Sequence, residues 1–195
     1  MKEIVKAFHN QIITKLNGHS YVINPVTDHT PETTYSLIKD IVEELTKLTN
    51  FSRANKIVGE EDRGGYIAGF MALKHKKSLA MVKWNPIGLN GPIGVDFRNA
   101  YTEGKMYLYG VKEGDKVILV EDMIDTGGTI IGMINLLRKA KVKIIDVVCI
   151  GEKEEYHGIE KIKEETGILV KCVIKFNCEG DTSKVVEIKG KKVVL

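Results

Sequence analysis

The sequence predicts an α/β domain built on a parallel, twisted sheet with helices on its faces. Three observations carry that expectation. Val117-Ile118-Leu119-Val120 and Ile144-Ile145-Asp146-Val147-Val148-Cys149-Ile150 are near-continuous apolar runs, as in strands buried on both faces. Strand-like and helix-like segments alternate from Lys56 to Phe176, the pattern of repeated β-α-β units. The 195 residues suffice for one such domain, and no linker or internal repeat divides them, so residues 1–195 are expected to form a single unit.

The first 24 residues give little pattern beyond a short strand at Tyr21-Val22-Ile23, after the turn signal Asn17-Gly18. Asn24 to Pro31 reads as a loop, with Thr30 as the N-cap and Pro31 at the first position of a helix. Ile38, Ile41, Val42, Leu45 and Leu48 then recur at helical spacing, with Lys39, Asp40, Glu43, Glu44 and Lys47 on the opposite, solvated face. Lys56-Ile57-Val58-Gly59 is a strand, residues 60–65 a polar loop, and Tyr66, Ile67, Phe70, Met71 and Leu73 mark a helix. Ser78 to Lys83 is the next strand. From Trp84 to Gly104 no helical period appears, and Pro86, Gly88, Asn90, Gly91, Pro92 and Gly94 punctuate the run, so a long lid-like loop is expected there. Lys105 to Tyr109 suits a returning strand. A helix to Lys139 follows residue 129, then the strand at 144–150, a short helix from Gly158 to Thr166 stopped by Gly167, a strand from Leu169 to Phe176, and a terminal hairpin within 185–194.

Composition excludes several classes. Apolar residues at 43% and charged residues at 28% are ordinary for a globular protein. A net charge of +3 does not argue for nucleic acid or an anionic membrane. No run approaches the roughly 18 apolar residues of a membrane helix, and the N-terminus lacks the pattern of a signal peptide. Cys149, Cys172 and Cys178 form no Cys-x-x-Cys pair and have no histidine at metal spacing, which fits a reducing, cytoplasmic setting.

The chemistry concentrates in Val117-Ile118-Leu119-Val120-Glu121-Asp122-Met123-Ile124-Asp125-Thr126-Gly127-Gly128-Thr129. This is a buried strand, then paired acids, then a small-residue turn opening a helix. Such a turn lets backbone N–H groups and the positive end of a helix face an anion. Carboxylates beside an anion cradle make sense for a ligand that also brings hydroxyls and a divalent metal. The plainer reading, a strand-turn-helix with solvated acids, explains the turn but not the order of all thirteen residues.

These thirteen residues resemble the signature of the type I phosphoribosyltransferases, which bind phosphoribosyl pyrophosphate. Glu61-Asp62-Arg63-Gly64 resembles the pyrophosphate-contacting Glu-Ser-Arg-Gly loop of adenine phosphoribosyltransferases. With Val58 to Gly65, Lys83-Trp84-Asn85-Pro86 and Tyr107-Leu108-Tyr109-Gly110, the likeness runs from about Tyr21 to Phe176 and is closest to an archaeal hypoxanthine-guanine phosphoribosyltransferase-like group. The chain departs from the adenine enzymes at Trp84-Asn85-Pro86-Ile87-Gly88-Leu89, where they carry a Lys-Pro-Gly-Lys run.

The resemblance implies roles. Glu121 and Asp122 would hold the ribose hydroxyls and, through them, bear indirectly on Mg2+. Asp125, Thr126, Gly127, Gly128 and Thr129 would take the 5-phosphate. Arg63, Gly64 and Lys83 would face pyrophosphate, with Arg98 a further cation in the loop. Asp125 and Arg63 are the candidate catalytic residues, Asp125 by accepting the proton of purine N7. An acid at 125 points to hypoxanthine or guanine, while the 61–64 loop points to adenine. A hood over the base, about residues 1–30, would offer Asp28 or His29, and Trp84 would stack on the base. The implied reaction joins a purine base to Mg-phosphoribosyl pyrophosphate, giving a nucleoside monophosphate and pyrophosphate. A homodimer or higher homo-oligomer is implied, with no nucleic acid or membrane partner. Two other readings share the signature: a non-catalytic regulator sensing purine or phosphoribosyl pyrophosphate, and a pyrimidine, orotate-type transferase. The regulator is disfavoured because the residues before the first sheet strand offer no recognition helix with a basic face.

Overall fold

The computed structural model describes residues 1–16, 18–88, 93–98 and 103–194. Helix α1 (Lys2–Phe8) and the antiparallel hairpin of β1 (Ile13–Leu16) and β2 (His19–Val22) precede the long helix α2 (Tyr35–Leu48). Then come β3 (Lys56–Glu60), α3 (Arg63–His75), β4 (Ser78–Lys83), β5 (Ile93–Arg98) and β6 (Glu103–Leu108). The signature strand is β7 (Lys116–Ile124), followed by α4 (Gly128–Lys139), β8 (Lys143–Lys153), α5 (Gly158–Thr166), β9 (Val170–Glu179), β10 (Thr182–Ile188) and β11 (Lys191–Lys192).

Among the described residues, nine strands form one sheet in the order β11-β10-β9-β8-β7-β3-β4-β6-β5. The five central strands, β9 to β4 in that order, are mutually parallel, and antiparallel strands close both edges. The apolar run of β7 explains why it lies at the middle. Ile118 and Val120 point into a core shared with α1, α2 and α3, while Val117 and Leu119 point into a second core under α4 and α5. All four side chains are fully buried, each worth roughly 1.5–3 kcal/mol of transfer free energy. From β3 the chain proceeds to β4 on one side; from β7 it proceeds to β8 and β9 on the other. The crevice between the carboxyl ends of β3 and β7 is therefore the switch point at which open α/β sheets bind ligands.

Four expectations need correction. The helix expected at Pro31 starts at Tyr35, because Thr34 rather than Thr30 is the cap: its Oγ1 accepts from Leu37 N at 3.3 Å. Glu44 is not on a solvated face. It is 5% exposed and receives the ammonium groups of Lys47 and Lys189. The run from Trp84 to Gly104 is not one irregular loop, since it contains β5, which pairs antiparallel with the expected returning strand β6. Ile93, Val95 and Phe97 alternate onto the α4 core beside Met106, so period-two burial lies between the glycines and prolines. Residues 89–92 and 99–102, part of the expected lid, lie outside the described residues. Finally, α1 was not foreseen; its Ile4, Ala7 and Phe8 are buried against the sheet face that α2 covers.

Candidate active site

A cleft of about 480 Å3 opens at this switch point. Strand β3 delivers Glu60 to its floor, and the tight connection to α3 delivers Asp62 and Arg63. Strand β7 delivers Glu121 and Asp122, and the turn into α4 supplies Asp125, Thr126, Gly127, Gly128 and Thr129. The hood hairpin adds Leu16 and Tyr21, and the sheet edge formed by β4, β6 and β5 adds Trp84, Lys105 and Phe97.

The acids are buried rather than solvated. Glu60, Glu121 and Asp122 are 3%, 3% and 6% exposed. Burial raises the Glu60 carboxyl to about 7, helped by the charges of Asp122 and Asp62 and opposed by its bonds from two backbone amides. Burial, with Asp122 and Glu60 as like-charged neighbours, pushes Glu121 well above the usual carboxylate range. Burial also raises Asp122, although the Arg63 guanidinium works the other way. Glu121 Oε1 accepts from the Asp122 amide at 3.0 Å, and its buried Oε2 has no hydrogen-bond partner among the described residues. A buried carboxylate oxygen without a donor is expensive, and a ligand hydroxyl is the group that would relieve it.

The turn after β7 is held open by Gly127. This residue has φ +82° and is the N-cap of α4, and a Cβ there would lie 2.8 Å from the Gly158 carbonyl and 2.9 Å from Ile162. A side chain is thus excluded both by conformation and by the packing of α5. Because the N-cap carries no side chain to take up the first amides of α4, the helix presents its positive end to the cleft.

Asp125 points towards a residue the sequence reading missed. Lys153 Nζ lies 3.0 Å from Asp125 Oδ1 and donates to the Ser20 carbonyl at 2.7 Å, with its side chain fully buried at the end of β8. The hood is thereby tied to the signature turn, and Tyr156 reinforces the tie by accepting from Ser20 N at 3.3 Å. The signal was available: β8 runs three residues past its last apolar position, and strand carboxyl ends are where ligands sit. Glu60, also missed, is the last residue of β3 by the same logic.

The other expected residues are divided. Arg63 lies at the cleft, with its guanidinium 5.3 Å from the Tyr21 ring centroid and 3.9 Å from Asp28. Trp84 also lines the cleft, packed at 4.7 Å on Phe97. Lys83 is not among the lining residues; its ammonium pairs with Glu61 at 2.8 Å. Gly64 lies behind the surface, where a Cβ would overlap Glu121 Oε1, and its N–H donates to Glu60 Oε1 at 2.7 Å. Asp28 and His29 do not line the cleft either. Asp28 accepts from Tyr21 Oη and from Asn24 N, and His29 bonds Thr33 and packs edge-on against Tyr66. Arg98 pairs with Glu103 at 3.8 Å on the exposed side of the hairpin.

Solved structures with a similar fold include the adenine phosphoribosyltransferases of Rhodothermus marinus and Thermoanaerobacter pseudethanolicus. The first matches with a TM-score of 0.75 at 19% identity, covering 89% of this chain and 97% of that one. The second gives 0.74 at 19%, covering 90% and 99%. The fold is thus that of the type I phosphoribosyltransferases. The family description "Phosphoribosyl transferase domain" matches residues 36–179. Relatives named hypoxanthine/guanine phosphoribosyltransferase include one from Methanocaldococcus infernus, 33% identical over 85% of this chain and 89% of its own, and one from Methanohalobium evestigatum, 34% identical over 92% and 93%. The chain belongs to the phosphoribosyltransferase family.

Proposed function

We propose that this phosphoribosyltransferase serves purine salvage, joining a purine base to Mg-phosphoribosyl pyrophosphate to release a nucleoside monophosphate and pyrophosphate. Hypoxanthine and guanine are the favoured bases. The observation that carries the reading is the unpartnered Oε2 of buried Glu121, next to Asp122 and below the amide-lined start of α4. Ribose hydroxyls supply the missing donors and a 5-phosphate supplies the anion. The relatives' names support the choice of purine.

Each residue then has a task. Glu121 and Asp122 hold the two hydroxyls and place negative charge below the ribosyl carbon as it becomes cationic. The amides of the turn and the Thr126 and Thr129 hydroxyls receive the phosphate. Arg63 grips the leaving pyrophosphate. Asp125, steadied by the buried Lys153 ammonium, accepts the proton of the base. The hood and the β5–β6 hairpin flank the cleft and exclude water from the cation.

The donor set fits a metal that arrives with the substrate. Among the described residues no group of three or more histidines, cysteines or acids is placed to cage an ion. The buried acids face ligand hydroxyls instead, so Glu121 and Asp122 bear on Mg2+ only through the ribose. When bound to pyrophosphate, Mg2+ neutralises the leaving group's charge. Residues before β3 pack into the sheet's own core through α1 and α2, which supports an enzyme over a regulator with an added DNA-binding unit. We place the protein in the cytoplasm as a homodimer or higher oligomer. No helix among the described residues is long and apolar enough to cross a membrane.

The test is direct. The protein is incubated with Mg2+, phosphoribosyl pyrophosphate and, separately, adenine, hypoxanthine, guanine, xanthine, uracil and orotate. Nucleotide from hypoxanthine or guanine is expected, and absence of product from every base would sink the proposal.

A further inference from the structure

Glu60 lies in the crevice between β3 and β7, and both of its carboxylate oxygens are committed to main chain. Oε1 accepts the amide of Gly64 at 2.7 Å, and Oε2 accepts the amide of Asp62 at 2.8 Å. These two amides bracket Arg63, the first residue of α3. The Asp62 side chain makes no capping bond at the start of that helix, so Glu60 does the capping from the preceding strand. On the other side, Gly64 is pressed so closely on Glu121 that any Cβ would overlap Oε1. The backbone carrying Arg63 is thus wedged between the carboxylate of Glu60 and that of Glu121.

Burying this acid is costly, since Glu60 is 3% exposed and faces Glu121, Asp122 and Asp62. An apolar strand end would pack there without that repulsion. What the carboxylate provides is two charge-assisted bonds that set the direction in which Arg63 leaves the main chain. We infer that Glu60 is a positioning residue for the pyrophosphate half of the site, fixing the 62–64 main chain so that Arg63 faces the cleft and linking it to the ribose-binding acids of β7. This rests on the phosphoribosyl pyrophosphate reading above. The linkage runs through one contact, Gly64 against Glu121, so occupancy of the ribose hydroxyl site and placement of Arg63 are felt by each other.

The experiment measures Mg-phosphoribosyl pyrophosphate binding by calorimetry without a base, together with melting temperature and KM for the base, in wild type, Glu60→Gln and Glu60→Asp. Glu60→Gln keeps shape but turns one acceptor into a donor facing an amide; Glu60→Asp keeps charge but withdraws both acceptors by one methylene. Both variants are expected to bind phosphoribosyl pyrophosphate about tenfold more weakly or worse, an effect of one lost charge-assisted bond. Base KM should stay within about twofold. Glu60→Gln should melt close to the wild-type temperature, because relief of a buried like charge offsets the amide left facing a donor. Unchanged affinity in either folded variant would overturn the inference. So would a fall in melting temperature of Glu60→Gln that parallels its loss of binding, which marks a folding role alone. If Glu60→Gln does not fold, Glu60→Asp decides by its affinity. A wild type that binds no phosphoribosyl pyrophosphate defeats the functional reading itself, whereas wild-type binding with indifferent variants defeats only the role of Glu60.

Discussion

The ammonium of Lys153 stands 3.0 Å from Asp125 Oδ1 with no exposed side-chain surface. A lysine this deep is stable only while paired, and here the pair spans two elements: Lys153 ends β8, and Asp125 begins the turn into α4. The same ammonium donates to the Ser20 carbonyl of the hood. One charge therefore ties the hood to the turn that opens α4.

The first prediction concerns this pair. Lys153→Met is expected to lower kcat/KM for hypoxanthine and guanine by about 100-fold or more, since it removes the partner of Asp125 and the anchor of the hood at Ser20. Affinity for phosphoribosyl pyrophosphate should change far less. Removing one member of a buried pair also costs roughly 3–5 kcal/mol of stability, read by urea denaturation. Asp125→Asn should match the catalytic loss, and the double variant should lose less than the sum, as expected of one working unit.

What was legible in the sequence divides along physical lines. β7 and β8 were readable because burial on both faces leaves residues 117–120 uninterrupted and only Asp146 as an interruption within 144–150, and Gly158–Thr166 was readable because a period and a stop signal coincide. β6 was readable as the returning strand, but its partner β5 was hidden because Gly88, Asn90, Gly91 and Pro92 set the local pattern of the preceding stretch, while Ile93, Val95 and Phe97 find their packing only on α4. In the site, the paired acids and the turn were readable because anion cradles need small residues in a fixed order. Lys153 was harder to read, because its burial is defined by a partner far away in the chain: Ser20 lies 133 residues from it. Lys83 lies beside Glu61, a pairing that the sequence does not reveal.

The second prediction follows from the buried acids. Glu60 has its carboxyl at about 7, above the ordinary 4.5, so the folded protein holds that proton more tightly than the unfolded chain. Its contribution to stability is complete below about pH 4.5, declines as pH rises, and is gone above about pH 7. Glu121 and Asp122 are shifted in the same direction. The ligand-free protein should therefore melt at progressively lower temperature as pH rises from about 5 to about 8. Glu121→Gln should flatten that slope while weakening phosphoribosyl pyrophosphate binding, because the amide relieves repulsion but donates where a hydroxyl needs an acceptor. Scanning calorimetry across the pH range checks the first point, and titration calorimetry the second.

The third prediction tests the turn. Gly127→Ala places a Cβ at a φ of +82° and 2.8 Å from the Gly158 carbonyl, so either the turn or α5 must move. The conformational strain alone costs about 1–2 kcal/mol. Phosphate binding at the start of α4 should suffer more than global stability, and 5-phosphoribose without pyrophosphate is the probe that isolates it. Retention of wild-type affinity for that probe by Gly127→Ala would show that the turn does not form the phosphate cradle.

The last prediction separates the two roles open to Arg63. Its guanidinium faces the cleft, yet it also stands over Tyr21 and beside Asp28, both part of the hood. Burial works against its charge, but Tyr21 and the acids Asp122, Asp28 and Asp62 outweigh that and hold it firmly cationic. If its main task is to grip pyrophosphate, Arg63→Ala raises KM for phosphoribosyl pyrophosphate by roughly 30-fold or more, in line with about 2–3 kcal/mol for a charged hydrogen bond. KM for the base then stays close to wild type. Tyr21→Phe serves as the control, because it removes the hydroxyl that bonds Asp28 while leaving the ring below the guanidinium. A modest effect of Tyr21→Phe beside a large effect of Arg63→Ala assigns the residue to pyrophosphate. Equal effects of the two on base KM would instead make Arg63 a fastener of the hood, and initial-rate kinetics with both substrates varied distinguishes the outcomes.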